Sequence, residues 1–110
     1  MISRHWKGIC KREFADQYVE HLKGETFPQL ATLPGFVRAT VLQREVITGT
    51  EFQVVTLWQS LGAIEAFAGH NVEVAVVPSS VQAIMLRYDR SVAHYDVAHT
   101  ISVLHAGGAS

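Results

Sequence analysis

Apolar and polar side chains alternate with a period of two from Ile2 to Ile9, which predicts a strand. Ile2, Arg4 and Trp6 share one face, and Ser3, His5, Lys7 and Ile9 share the other. Gly8 marks a bend or a close backbone approach in it. After the charged lead-in Lys11 to Glu13, the period lengthens. Phe14, Tyr18, Leu22, Leu30 and Leu33 form an apolar stripe, with Asp16, Glu20 and Lys23 facing solvent, so a helix is expected from about Glu13 to Leu33. His21, beside Leu22, is expected to be solvated. Pro28 lacks an amide donor, which predicts a kink or break near Gly24 to Phe27. Pro34-Gly35 reads as a turn, and Phe36 to Glu45 as a second strand. Ile47-Thr48-Gly49-Thr50 reads as a hairpin turn.

The stretch from Glu51 to His70 organises the rest. Phe52, Val54, Thr56 and Trp58 alternate with Gln53, Val55 and Leu57, predicting a strand with two largely apolar faces. Ser60 has the chemistry of a helix N-cap, Ala63, Ile64, Phe67 and Ala68 follow at helical spacing, and Gly69 ends the turn. His70 to Pro78 reads as a connection or a helix start, after which Ser79 or Ser80 is expected to cap a segment in which Val81, Ile84, Met85 and Tyr88 have helical spacing. A last strand is expected from Ser91 to about Ala98, with Val92, His94 and Asp96 on one face. The predicted order is β-α-β-β-α-β. This is an α+β, ferredoxin-like arrangement with an antiparallel sheet and helices on one face. The domain is expected over residues 1–98, with 99–110 as a C-terminal tail that is loose unless it crosses to a partner chain.

Composition narrows the function classes. At 110 residues the chain is one domain, and 48% hydrophobic against 17% charged content suits a folded protein. A chain of this size buries only about two-thirds of its unfolded surface, so the apolar second sheet face implies cover, most simply a homodimer. A net charge of −1, from nine basic and ten acidic residues, provides no electrostatic footprint for nucleic acid. No apolar run is long enough to span a membrane and no signal peptide is read, so the cytoplasm is the expected location. The single cysteine, Cys10, excludes an internal disulfide and a multi-cysteine metal site.

Several short motifs, in order, resemble the antibiotic biosynthesis monooxygenase superfamily of small dimeric α+β barrels. They are the opening Met1-Ile2-Ser3-Arg4-His5-Trp6-Lys7-Gly8, the Leu33-Pro34-Gly35-Phe36 turn, Leu57-Trp58-Gln59-Ser60 with Ala63 and Phe67, and the closing His94-Tyr95-Asp96-Val97. The resemblance implies a ligand cavity between sheet and helices in each subunit. It also implies a cofactor-independent monooxygenase acting on a small aromatic, phenolic or quinol substrate. Haem-degrading relatives carry an asparagine in the first strand, a tryptophan within the second helix and a histidine beyond it. Here Arg4-His5, Phe67 and Val77 stand in those regions, which argues against haem degradation. Val54 and Ile64 stand where the quinol-oxidising members carry an asparagine and a tyrosine.

The residues themselves suggest roles. His94, flanked by apolar residues in the last strand, is the candidate base, since imidazole changes charge near neutral pH. Arg4 can hold a phenolate or carboxylate through a charge-assisted bond. Trp58, at the position of the family's strand-end tryptophan, and Trp6 are the expected pocket walls, since indole stacks on flat substrates and its N–H donates. Phe67 is expected to contact substrate, and His70, just after the Phe67-Ala68-Gly69 turn at the expected pocket mouth, either contacts substrate or is a helix-end residue. His94 and Asp96 share a strand face at a spacing two ligands of an iron facial triad can use, with His5 as the third, but nothing in the sequence brings His5 there. No metal or cofactor is therefore expected. The alternative to an enzyme is a non-catalytic, small-ligand-binding or stress-related dimer with the same barrel.

Overall fold

In the computed structural model of the protein, which describes residues 1–103, β1 (Ile2–Cys10) forms the middle of an antiparallel sheet. Its whole length pairs with β3 (Thr50–Trp58), from Ile2 opposite Trp58 to Cys10 opposite Thr50. β2 (Phe36–Glu45) pairs with the outer edge of β3 as a hairpin. The turn closes between Val46 and Gly49, and Thr50, expected in the turn, is instead the first, fully buried residue of β3. Beyond β1, two short strands share one edge: β4 (Met85–Tyr88) pairs with Gly8–Cys10, and β5 (Ala93–Asp96) with Ile2–His5. The resulting sheet has five strands, in the order β2-β3-β1-β4 with β5 also on β1.

The predicted α+β, ferredoxin-like order thus holds, with the last strand divided in two. The division corrects two expectations. Met85 and Tyr88 fit helical spacing, but they belong to β4, and the preceding α4 (Ser79–Gln82) is a single turn. Neither Ser79 nor Ser80 caps it. Pro78 stands at the N-cap and its carbonyl accepts from Val81 and Gln82. The free edge of β1 recruits the following residues, so sheet hydrogen bonds override a local periodicity that only four residues could satisfy. Between β4 and β5 the chain steps off the sheet, with Asp89 N–H still bonded to Lys7 O and Ser91 bridged to Val74.

The long predicted helix is present in pieces: a 3₁₀ turn (Arg12–Phe14), α1 (Ala15–His21), a π turn (Leu22–Thr26) and α2 (Phe27–Leu30). The irregularity falls where Pro28 predicts it. Pro28 cannot donate to the carbonyl four residues back, and the ladder widens so that Phe27 N–H reaches Leu22 O instead. α3 (Leu61–Ala68) starts as read, with Ser60 Oγ accepting from Ala63 N at 3.2 Å, and ends at Gly69 with φ 86°. Gly35, at φ 85°, admits no side chain, because a Cβ there would sit 2.6 Å from that of Ala63.

Helices cover the sheet face that carries Arg4, Trp6, Phe52, Thr56 and Trp58. One core cluster joins Cys10, Tyr18, Leu22, Phe52, Val81 and Met85; the other joins Leu30, Trp58 and Ile64. The opposite face is open and more mixed than its strands predicted. Leu42 and Tyr95 are about half exposed there, near Val55 and Leu57, but Lys7, Gln53 and an Arg44–Glu51 ion pair of 2.7 Å share it. The expected tail is described only to Val103; the remainder, including His105, lies outside the described residues.

Candidate functional site

A cavity of about 160 Å³ lies between the covered sheet face and the helical segment above it. Arg4 and Trp6 of β1 and Val54 and Thr56 of β3 form its floor. Tyr18, His21, Leu22, Thr26, Gln29 and Leu30 close it from the helical side, and Val76 to Pro78 with Val81 from the connection after α3. Phe67 and Val92 complete the wall.

Arg4 is the buried cation of this wall, 5% exposed. Its Nη1 donates to Val72 O and lies 3.0 Å from His94 Nε2, and its Nη2 donates to Val74 O at 3.1 Å. The guanidinium also sits 5.7 Å from the Phe67 ring centroid. Burial lowers its pKa, but a guanidinium remains charged. Among the described residues no carboxylate pairs with it. Carbonyl and imidazole dipoles accept three hydrogen bonds from it without cancelling its charge, which leaves a net positive wall against an apolar space.

His94 stands directly opposite Arg4 in the β1–β5 register. Burial lowers its pKa, and the Arg4 charge lowers it further, so the ring is neutral at neutral pH. Because Arg4 can only donate, Nε2 is the accepting nitrogen and the ring proton is on Nδ1. The lone pair that a base would use is thus already engaged, and His94 is not among the cavity-lining residues.

The other expected site residues divide. Trp6 and Phe67 line the cavity. Trp6 is anchored by its N–H on Asp89 O at 2.9 Å and tilts against Tyr18. Trp58 lies behind the wall: it is fully buried, donates to Thr56 Oγ1 at 2.9 Å, and stacks on Phe67 at 5.7 Å. It backs two lining residues and has no face on the space itself. His70 is exposed and outside the lining, because Gly69 turns the chain outward after α3. His5 is on the opposite sheet face, with Nε2 at 2.7 Å from Ser3 Oγ and its ring against Tyr95, so the triad with His94 and Asp96 is not assembled. No group of three His, Cys, Asp or Glu side chains is gathered among the described residues.

His21, expected in solvent, instead lines the cavity. The signal was present in the spacing. Three residues after Tyr18 and next to Leu22, it sits at the margin of the same stripe. Tyr18, read as part of the apolar stripe, and Thr56, read only as a strand-face residue, also line the space; burial pushes the Tyr18 pKa up and keeps its hydroxyl protonated.

No protein-family model matches the chain, and no curated protein matches it. Solved structures do. A Deinococcus radiodurans protein assigned to the antibiotic biosynthesis monooxygenases is 14% identical over 96% of this chain and 100% of that one, with a TM-score of 0.68. SnoaB, a cofactor-independent oxygenase from Streptomyces nogalater, is 16% identical over 91% and 95%, with a TM-score of 0.63. A haem-degrading protein from Mycobacterium tuberculosis is 20% identical over 93% and 100%, with a TM-score of 0.57. The fold of this chain is the α+β, ferredoxin-like fold of the antibiotic biosynthesis monooxygenase structures, along nearly its whole described length.

Proposed function

We propose that the protein is a cofactor-independent, monooxygenase-like enzyme acting on a small phenolic or quinol substrate. The observation that carries this reading is the apolar cavity with one unneutralised buried cation, Arg4, in its wall. An apolar space selects a ring, and the cation favours the ionised form of a ring-bound hydroxyl. About 160 Å³ is close to the volume of an apolar cavity that holds benzene, about 150 Å³, which suits one aromatic ring. Trp6 and Phe67 would flank that ring. A phenolate can pass an electron to O₂ directly. Overall, a phenol and O₂ yield a quinone and water, one oxygen atom entering each product. The chain would contribute orientation, exclusion of water and stabilisation of the anion. SnoaB, with the same fold, is a cofactor-independent oxygenase, which supports this class.

A second reading is a ligand-binding protein without catalysis, and the engaged lone pair of His94 favours it. In either case the open sheet face would pair with a second copy, and the cytoplasm is the proposed location. Among the described residues no helix is long and apolar enough to cross a membrane.

Oxygen uptake by metal-stripped protein, with hydroquinones, catechols and naphthols against a buffer blank, separates the two readings. Protein-dependent uptake that falls in Arg4→Met supports the enzyme. Saturable binding of these compounds with uptake no faster than the blank supports the binding protein.

A further inference from the structure

A guanidinium carries five N–H donors in a fixed plane. In Arg4 both hydrogens of Nη1 are engaged, by Val72 O and by His94 Nε2, and Val74 O engages one of the two on Nη2. Nε makes no hydrogen bond with the described residues. Two donors on neighbouring positions of the plane, one on Nε and one on Nη2, are therefore uncommitted. Nε is also open. The one sealed side-chain nitrogen or oxygen without a partner among the described residues belongs to His21, so Nε of Arg4, equally without a partner, keeps accessible surface. Arg4 borders the cavity, and the Phe67 ring lies 5.7 Å from its guanidinium carbon. The chain that supplies Val72 O and Val74 O continues into Val76, Val77 and Pro78 of the same wall. The guanidinium is thus fixed by three acceptors while two donors wait for a fourth and a fifth.

We infer that the cavity is built for a benzene-1,2-diol, whose two adjacent oxygens accept from Nε–H and Nη2–H of Arg4 while its ring lies against Trp6 and Phe67. The inference rests on the phenolic reading of the cavity and names the substrate class within it. A planar pair of donors matches a planar pair of acceptors, which is why arginine suits two-oxygen recognition. In a 1,2-diol one hydroxyl donates to its neighbour, and both oxygens keep lone pairs for the guanidinium. In a 1,4-diol the second oxygen lies across the ring, out of reach of the same nitrogens, and one of the two donors stays unpaired. An unpaired donor beside an apolar ring carries its full desolvation cost, so the site discriminates by the position of the second oxygen. The volume of about 160 Å³ holds one ring, which fits a diol on a single benzene nucleus. Arg4 is the specificity-determining residue in this scheme.

The test compares catechol, resorcinol and hydroquinone, which share one formula and one ring and differ only in where the second hydroxyl stands. Binding is followed by calorimetry without oxygen, so that none of the three is consumed. Wild-type protein should bind catechol at least about tenfold more tightly than either isomer. Arg4→Lys keeps a charge but not the planar pair of donors, and, with its fold checked by circular dichroism, should bind all three alike. Equal binding of the three isomers to the wild type overturns the inference and leaves the phenolic reading standing. A catechol preference that persists in Arg4→Lys overturns the assignment to Arg4. Absence of saturable binding of any isomer overturns the phenolic reading and this inference with it. Should Arg4→Lys not fold, the Arg4 Nε–H resonance of the wild type decides. Catechol should slow its exchange with water and hydroquinone should not, and an exchange rate that catechol leaves unchanged overturns the assignment.

Discussion

Arg4 and His94 face each other across the β1–β5 pairing, with Nη1 3.0 Å from Nε2. They were read from the sequence as anion partner and base, yet they form one unit. Burial, and then the guanidinium charge, hold the imidazole neutral, and the imidazole helps to satisfy a cation that has no carboxylate partner among the described residues.

This pairing has a consequence for acid stability. The His94 pKa is lowered from 6.5 in the folded protein, so the unfolded chain binds its proton more readily. Stability from this group is therefore fully present above about pH 6.5 and is lost as pH falls through the lower folded value. Thermal melting between pH 7 and 5 should show a declining Tm. His94→Gln, which keeps an oxygen for Arg4 to bond, should reduce the decline and leave the part carried by His5, whose pKa burial also lowers. Glu45 and Glu51, whose carboxyls are held below 4.5 by hydrogen bonds from Thr50 and from Arg44 respectively, act only at lower pH. An unchanged slope in His94→Gln would show that His94 does not carry the effect.

Trp58 sits behind the cavity wall, so its loss should register first in stability. Trp58→Phe removes the N–H bond to Thr56 and opens space beside Phe67, for an expected cost of about 1–3 kcal/mol in urea unfolding. Ligand affinity should change by less than the stability does. A large affinity loss with unchanged stability would place the indole in direct contact with ligand.

The cavity's size sets a blocking experiment. Val54 is on the floor, and Val54→Trp should fill the space. Binding of a single-ring phenol should weaken by at least about tenfold, or about 1.4 kcal/mol, with the circular dichroism spectrum retained. Undiminished binding would locate the ligand elsewhere.

The open sheet face supplies a fourth prediction. Leu42, Val55 and Leu57 border a recess there, beside Arg38 and Thr40. If that face pairs two copies, Leu57→Lys should shift light-scattering mass from dimer to monomer, since a buried unpaired charge opposes association. A wild-type monomer at tens of micromolar would remove the dimer proposal.

Much of the architecture was legible along the chain because its signals are local. Alternation marks β1, β2 and β3; Ser60 and Gly69 bracket α3; Pro28 announces the widened turn. The last third misled because Val81, Ile84, Met85 and Tyr88 satisfy both a helical and a mixed helix–strand burial pattern. The free edge of β1 decides between them, and that edge exists only once the sheet has formed.

The site divides in the same way. Sequence by itself determined that Arg4, Trp6 and Phe67 are of the right types and stand on elements that can meet. The β-α-β-β-α-β element order was legible as well, whereas the place of β5 beside β1 is read from the structure. Only the tertiary structure decided that Arg4 occupies the lone pair of His94, that Trp58 is sealed behind Thr56 and Phe67, and that His21 turns inward while His70 turns out. Residue type and spacing specify which side of an element a group lies on. Which neighbour claims its lone pair, and whether a cavity lies beside it, depends on contacts between segments as many as 90 residues apart in the chain.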